Sequence, residues 1–238
     1  MLHVGCCGWS KGHAATYARF ECVEIQQTFY EPPRVATMER WRAEAPEGFR
    51  FAIKAFQLVT HEESSSTWRR LKRPRPAAGR CGSLRDTPEV RAAWDETLAA
   101  ARALRAEVVL LQVPARFGPE VENIERLRRF AREMPRGDFA LAFEPRGPAW
   151  GEEEADRLCR ELDLLRAWDP FVSAPADPKL QPTAYLRLHG GEGFAHRYSD
   201  EELERVLDLA RRYERAWVMF NDRWMWDDAC RFLELDGG

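Results

Sequence analysis

Carboxylates, cations and amides recur in this sequence where apolar runs end. Glu24, Gln26 and Thr28 alternate with Val23 and Ile25, and Lys54 closes Phe51-Ala52-Ile53. Gln112 closes Val108 to Leu111, Glu144 and Arg146 follow Leu141 to Phe143, and Asp169 follows Ala167-Trp168. Arg187 and His189 alternate with Leu186 and Leu188, and Asn221 follows Phe220. Such a set suits acid–base chemistry. Glu24 and Glu144 would serve as acid and base if neighbouring charges set their proton affinities apart, with His189 assisting. Arg146 and Arg187 carry the planar fork that suits a carboxylate or phosphate. Lys54 would be a further clamp, or a Schiff-base amine if hydrophobic walls and cationic neighbours lower its proton affinity. Gln26, Thr28, Gln112, Asp169 and Asn221 would complete the contacts to a substrate. The default reading is hydrolysis of a polar, anionic small molecule.

Two other chemistries use the same or nearby residues. Glu24, Glu144, Asp169 and His189 form an oxygen and nitrogen ligand set for Mg, Mn or Zn. Lys54, Arg146 and Arg187 would compete for those carboxylates, and the sequence otherwise requires no cofactor. Separately, Arg69, Arg70, Lys72, Arg73, Arg75, Arg80 and Arg85 make residues 57–86 basic. That stretch would contact nucleic-acid phosphates, although a solvated, mobile lid is the simpler expectation.

The runs that carry these residues read as strands. Tyr185 to Gly190 alternates, with leucines on one face and Tyr185, Arg187 and His189 on the other. Val108 to Val113 is continuously apolar, as in a strand buried on both faces. Further strands are expected over Leu2–Trp9, Glu21–Tyr30, Arg50–Phe56, Phe139–Phe143, Leu164–Asp169 and Ala216–Phe220. Between them lie helical stretches. One opens at Thr87-Pro88-Glu89, with a capping residue and a proline in the first turn, and runs to about Arg105. Others cover Val35–Ala45, Pro119–Glu133 and Glu152–Leu162. A further helix from Asp200, with Ser199 as N-cap, runs to about Arg215, and a last one starts near Trp224. Alternating strands and helices imply a parallel sheet. Eight strands in 238 residues fit one closed (β/α)8 barrel of the TIM type, a single domain over residues 1–238, with one long loop after the third strand. An open doubly wound sheet is the alternative, but no Gly-x-Gly-x-x-Gly follows the first strand. In a closed barrel the listed polar residues would share one mouth at the strand C-termini. Ala52, Ala142 and Ala167 each stand two residues before a polar strand end, leaving room for the longer side chain.

Whole-chain properties narrow the class. Hydrophobic content is 45%, and no apolar run approaches the ~18 residues that a membrane span needs. The first residues lack a charged region and a long apolar stretch, so no signal peptide is expected. A net charge of −3 gives no global attraction to nucleic acid or anionic lipid. The six cysteines show no Cys-x-x-Cys spacing and read as reduced thiols of a cytoplasmic protein. Cys7 beside the polar face reads as an inert buried thiol, and His61 as a structural histidine. Only four of the 36 basic residues are lysines, which singles out Lys54 inside its apolar run.

Several segments together resemble the YecE-like family, a domain of unknown function. They are Gly5-Cys6-Cys7-Gly8-Trp9-Ser10, Val23-Glu24-Ile25-Gln26-Gln27-Thr28-Phe29-Tyr30, Phe51-Ala52-Ile53-Lys54-Ala55, Thr60-His61, Gln112-Val113-Pro114, Glu144-Pro145-Arg146 with Trp150, Arg187-Leu188-His189-Gly190 and Phe220-Asn221-Asp222. The resemblance spans nearly the whole chain. It implies a TIM-type barrel with a polar pocket at the strand C-termini, and no particular reaction. The family usually has Thr-Ser where Cys6-Cys7 stand, Asn where Asp222 stands and Ser where Ala149 stands. Its first connection, here Ser10 to Phe20, is usually longer.

Overall fold

The structure is a computed structural model and describes residues 1–191 and 193–237. Eight parallel strands follow one another in chain order around a closed barrel. They are β1 (Leu2–Cys7), β2 (Cys22–Ile25), β3 (Arg50–Lys54), β4 (Val108–Gln112), β5 (Ala140–Glu144), β6 (Leu165–Trp168), β7 (Thr183–Leu188) and β8 (Arg215–Phe220). Among the described residues no helix is long and apolar enough to cross a membrane. The chain divides into two compact units.

The first unit comprises Met1–Glu24, Ala45–Arg50 and Leu165–Gly238. Its strand order is β6-β7-β8-β1-β2, with Arg187 opposite Met219, Leu2 opposite Ala216 and Cys7 opposite Glu24. Gly5 lies opposite Cys22, and a Cβ at Gly5 would overlap the Cys22 backbone carbonyl and come to 2.9 Å of its Sγ. The backbone of β2 cannot retreat without losing its ladder. Gly5→Ala is therefore expected to cost about 1–3 kcal/mol or more in urea unfolding, and an unchanged midpoint would contradict this packing. Helix α1 (His13–Arg19) was not legible in the sequence, being seven residues long with one buried position, Thr16. Helix α8 (Asp200–Ala210) starts where expected, at a capping box of Ser199 and Glu202, and α9 (Met225–Asp236) closes the chain.

The second unit comprises Ile25–Glu44 and Phe51–Leu164. Strands β3, β4 and β5 pair in that order, with Gln112 opposite Glu144. Helix α5 (Pro88–Leu104) has Thr87 as N-cap, its hydroxyl accepting the Val90 N–H at 3.2 Å, and ends at Arg105 in the left-handed conformation. Its buried positions Val90, Trp94, Leu98, Ala101 and Leu104 repeat every three or four residues, the spacing of one helix face. Helices α3 (Val35–Glu44), α6 (Val121–Glu133) and α7 (Glu152–Glu161) lie close to their expected bounds.

Two expectations fail here. The second strand was expected to run to Tyr30, but it ends at Ile25 and the chain turns into a short helix α2 (Gln27–Tyr30). Thr28 explains the turn, because its hydroxyl lies 2.9 Å from the Ile25 carbonyl and 2.7 Å from the Lys54 carbonyl. Likewise β3 stops at Lys54, and a short helix α4 (Gln57–Thr60) follows. The connection over residues 57–86 is anchored at both ends, while most of residues 69–80 is exposed. Gln57–His61 and Cys81–Leu84 are buried, and Gly82 and Leu84 donate backbone hydrogen bonds to Leu58 and Val59.

Candidate functional site

In the first unit, Arg187 on β7 and Glu24 at the end of β2 form a bidentate pair. Arg187 Nη2 reaches Glu24 Oε1 at 2.7 Å and Nε reaches Oε2 at 3.0 Å, with both side chains 0% exposed. Tyr185 donates its hydroxyl to Glu24 Oε2 at 2.7 Å, and Cys7 Sγ lies 3.4 Å from Oε1. Burial, then the Glu24 charge, push both the Tyr185 hydroxyl and the Cys7 thiol well above their ordinary values. Glu24, expected as a catalytic acid or base, and Arg187, expected as a ligand clamp, are here bonded to each other. Four donors converge on the Glu24 carboxylate, and neither side chain reaches solvent.

The Nη1 end of the Arg187 fork turns to His189. Arg187 Nη1 lies 3.3 Å from His189 Nε2, and the Asn221 amide lies 3.0 Å from His189 Nδ1. A guanidinium only donates, so Nε2 accepts and a neutral ring carries its hydrogen on Nδ1. The Asn221 atom at that nitrogen is Nδ2, so this tautomer requires the amide turned over to bring Oδ1 to the Nδ1 hydrogen. Both ring nitrogens are engaged, which makes His189 part of an ordered array. Asp169 likewise serves the backbone, accepting the Phe171 N–H with Oδ1 and the His189 N–H with Oδ2, each at 2.9 Å.

In the second unit, the last residues of three adjacent strands join in a chain. Lys54 Nζ donates to Gln112 Oε1 at 2.5 Å, and Gln112 Nε2 donates to Glu144 Oε1 at 2.9 Å. Arg146 Nη1 also donates to Glu144 Oε1, at 2.9 Å. The Lys54 ammonium sits 3.7 Å from the centre of the Phe29 ring, a cation–π contact. Glu144 and Lys54 are buried, whereas the Arg146 side chain is 42% exposed. Gln26 is half-buried at the N-cap position of α2.

His61 packs edge-on against Phe29 at 4.9 Å, with Nδ1 2.8 Å from the Thr60 hydroxyl. Burial, then the Lys54 and Arg116 charges, push its pKa down to about 3. The unfolded chain takes up a proton near pH 6.5, while the folded one stays neutral until about 3. The contribution of His61 to stability is therefore complete above pH 6.5 and is lost as pH falls toward 3. His61→Gln is expected to melt with a shallower loss between pH 6.5 and 4 than the wild type, and equal slopes would contradict this.

Among the described residues no group of three or more His, Cys, Asp or Glu side chains is placed to hold a metal ion. Three cations of the basic stretch pair with carboxylates. Arg73 pairs with Glu31 and Glu96, Arg80 with Glu89 and Arg85 with Glu62, while Arg70 stacks on Tyr30. Sequence reasoning did not place Tyr185 or Phe29 in these clusters. The alternation of Tyr185 with Arg187 was the available signal for the first; nothing marked the second as the seat of an ammonium.

A closed parallel barrel with linked charged groups at its strand C-termini is a (β/α)8 barrel of the TIM type, with polar groups where such barrels keep their chemistry. The chain belongs to the family described as "Protein of unknown function DUF72", whose model matches residues 3–232. It is similar to UPF0759 protein YunF of Bacillus subtilis (strain 168), 22% identical over 93% of this chain and 89% of that protein. It is 29% identical to UPF0759 protein YecE of Escherichia coli (strain K12), over 65% of this chain and 53% of that one, about half its length. A DUF72 family protein from Thermotoga maritima MSB8 superimposes over 100% of both chains, with a TM-score of 0.74 and 22% identity.

Proposed function

We propose that the protein is an enzyme that moves a proton on a polar, anionic small molecule, with Glu144 as the group that gives or takes it. The observation that carries this reading is the chain Lys54–Gln112–Glu144–Arg146 across three strand C-termini. A carboxylate bonded to a half-exposed guanidinium, and linked through Gln112 to an ammonium, has the parts for general acid–base work on an anion. Arg146 supplies the anion contact, since only its Nη1 bonds a protein group among the described residues. Lys54 adds positive charge and is held against Phe29. Hydrolysis is the reaction class, with Glu144 activating a water. The Glu24–Arg187 pair acts in the background as a support for His189. The cytoplasm is the setting, a reading supported by six free cysteines.

The test is turnover of a panel of phosphate esters and sugar acids. Activity on at least one member is expected, and it should depend on Glu144. Equal turnover by wild type and Glu144→Gln on every active compound would discard the assignment.

A further inference from the structure

Asp222 follows Asn221 at the end of β8 and is fully buried. Its Oδ1 accepts the Trp224 N–H at 2.6 Å, and its Oδ2 meets no hydrogen-bond partner among the described residues. Asp228 on α9, Asp169 past β6 and His196 between β7 and α8 are near enough to act on its charge. The Tyr198 hydroxyl and the Cys6 thiol on β1 feel that charge in turn. Asp228 has cations of its own, Arg231 at 2.9 Å and Arg197 at 3.9 Å. No cation stands within ion-pair distance of Asp222 among the described residues. An ionised carboxylate there would be buried, unpaired and close to two others, which physics disfavours strongly.

The turn around Asp222 carries several connections. Asn221 N–H bonds the Leu188 carbonyl at 2.8 Å, and Arg223 N–H bonds the Phe194 carbonyl at 2.9 Å. Tyr198, whose N–H bonds Asp228 Oδ2 at 3.2 Å, takes the Gly190 N–H on its hydroxyl at 2.6 Å. A charge at Asp222 would thus act where the chain presents both His189 and Asn221.

We propose that Asp222 is a positioning residue carried as a neutral carboxylic acid, and that its ionisation loosens the turn that presents Asn221 to His189. Burial is the main cause that pushes its pKa up to about 6; the Trp224 N–H and His196 oppose it, and Asp228 and Asp169 add to it. The raised value fixes the sign. The stabilisation is complete below the ordinary carboxylate value of 3.8 and is lost as pH rises through about 6. An asparagine in this place has the same shape, offers an N–H where the acid offers an O–H, and cannot ionise.

The test compares the full chain with Asp222→Asn by thermal melting from pH 4.5 to 8, and by NMR of the Asn221 and Trp224 backbone amides. His61 acts with the opposite sign over this range, equally in both proteins, so the difference between them is the readout. The variant should gain melting temperature relative to the wild type as pH rises through about 6, and melt higher above pH 7. The amide signals of the wild type should show a step with the same midpoint, absent from the variant. A variant that melts below the wild type at pH 7.5, fails to fold, or differs from it by the same amount at every pH overturns the neutral acid. Amide signals that show no such step overturn the positioning role.

Discussion

Arg187→Met is expected to lower the unfolding free energy by about 3–5 kcal/mol, the usual cost of leaving one partner of a buried ion pair alone. For a chain of this length that corresponds to a melting temperature roughly 10 °C lower. The reason is specific. Glu24 has both oxygens filled by Arg187, Tyr185 and Cys7, and it cannot turn to water because the pair is 0% exposed. Removing the guanidinium strips two of those donors and the charge paired with the carboxylate. The double replacement Glu24→Leu with Arg187→Met removes both charges and should recover much of the loss, since an apolar pair avoids the desolvation cost. Urea unfolding of the four proteins of this cycle is the measurement. Additive losses would mean that the two residues do not act as a pair. The single Arg187→Met replacement should also release the His189 ring, which its Nη1 contacts at 3.3 Å.

Glu144→Gln is expected to reduce kcat by about 10²–10⁴-fold on whichever anionic substrate the enzyme turns over. The amide keeps the shape and the hydrogen bonds to Gln112 and Arg146 in part, but it neither takes nor gives a proton. Stability should change little by comparison with Arg187→Met. Arg146→Ala separates binding from chemistry. It removes a half-exposed cation that touches Glu144 at 2.9 Å, so it should raise KM more than it lowers kcat. A loss of kcat in Arg146→Ala equal to that in Glu144→Gln would place the arginine in the chemical step instead.

Much of the barrel was legible from residue pattern. The unbroken run Val108 to Leu111 could only be a strand covered on both faces, and the Thr87-Pro88 pair marked the start of α5 to the residue. The Gln112–Glu144 link follows from the same pattern, because the two strand ends lie side by side, whereas Lys54 lies opposite Leu110 and reaches Gln112 with its long side chain. The end of β2 was not legible. Val23 to Thr28 keeps a strand-like alternation past Ile25, and the turn there depends on Thr28 closing onto the Lys54 carbonyl, a tertiary contact. The pairing of Glu24 with Arg187 was offered only as one of several charge matches, and 163 residues separate the two. Burial and the bidentate geometry select it from the others. Asp169 was expected as a substrate contact, and the two backbone N–H groups that it accepts were equally out of reach of residue pattern.

A crystal structure of the protein soaked with a compound that it turns over tests the central claim most directly. The anionic group of that compound is predicted to lie on Arg146, with the reacting atom, or the water that attacks it, within hydrogen-bond distance of Glu144. A compound bound with neither residue in contact would contradict the account.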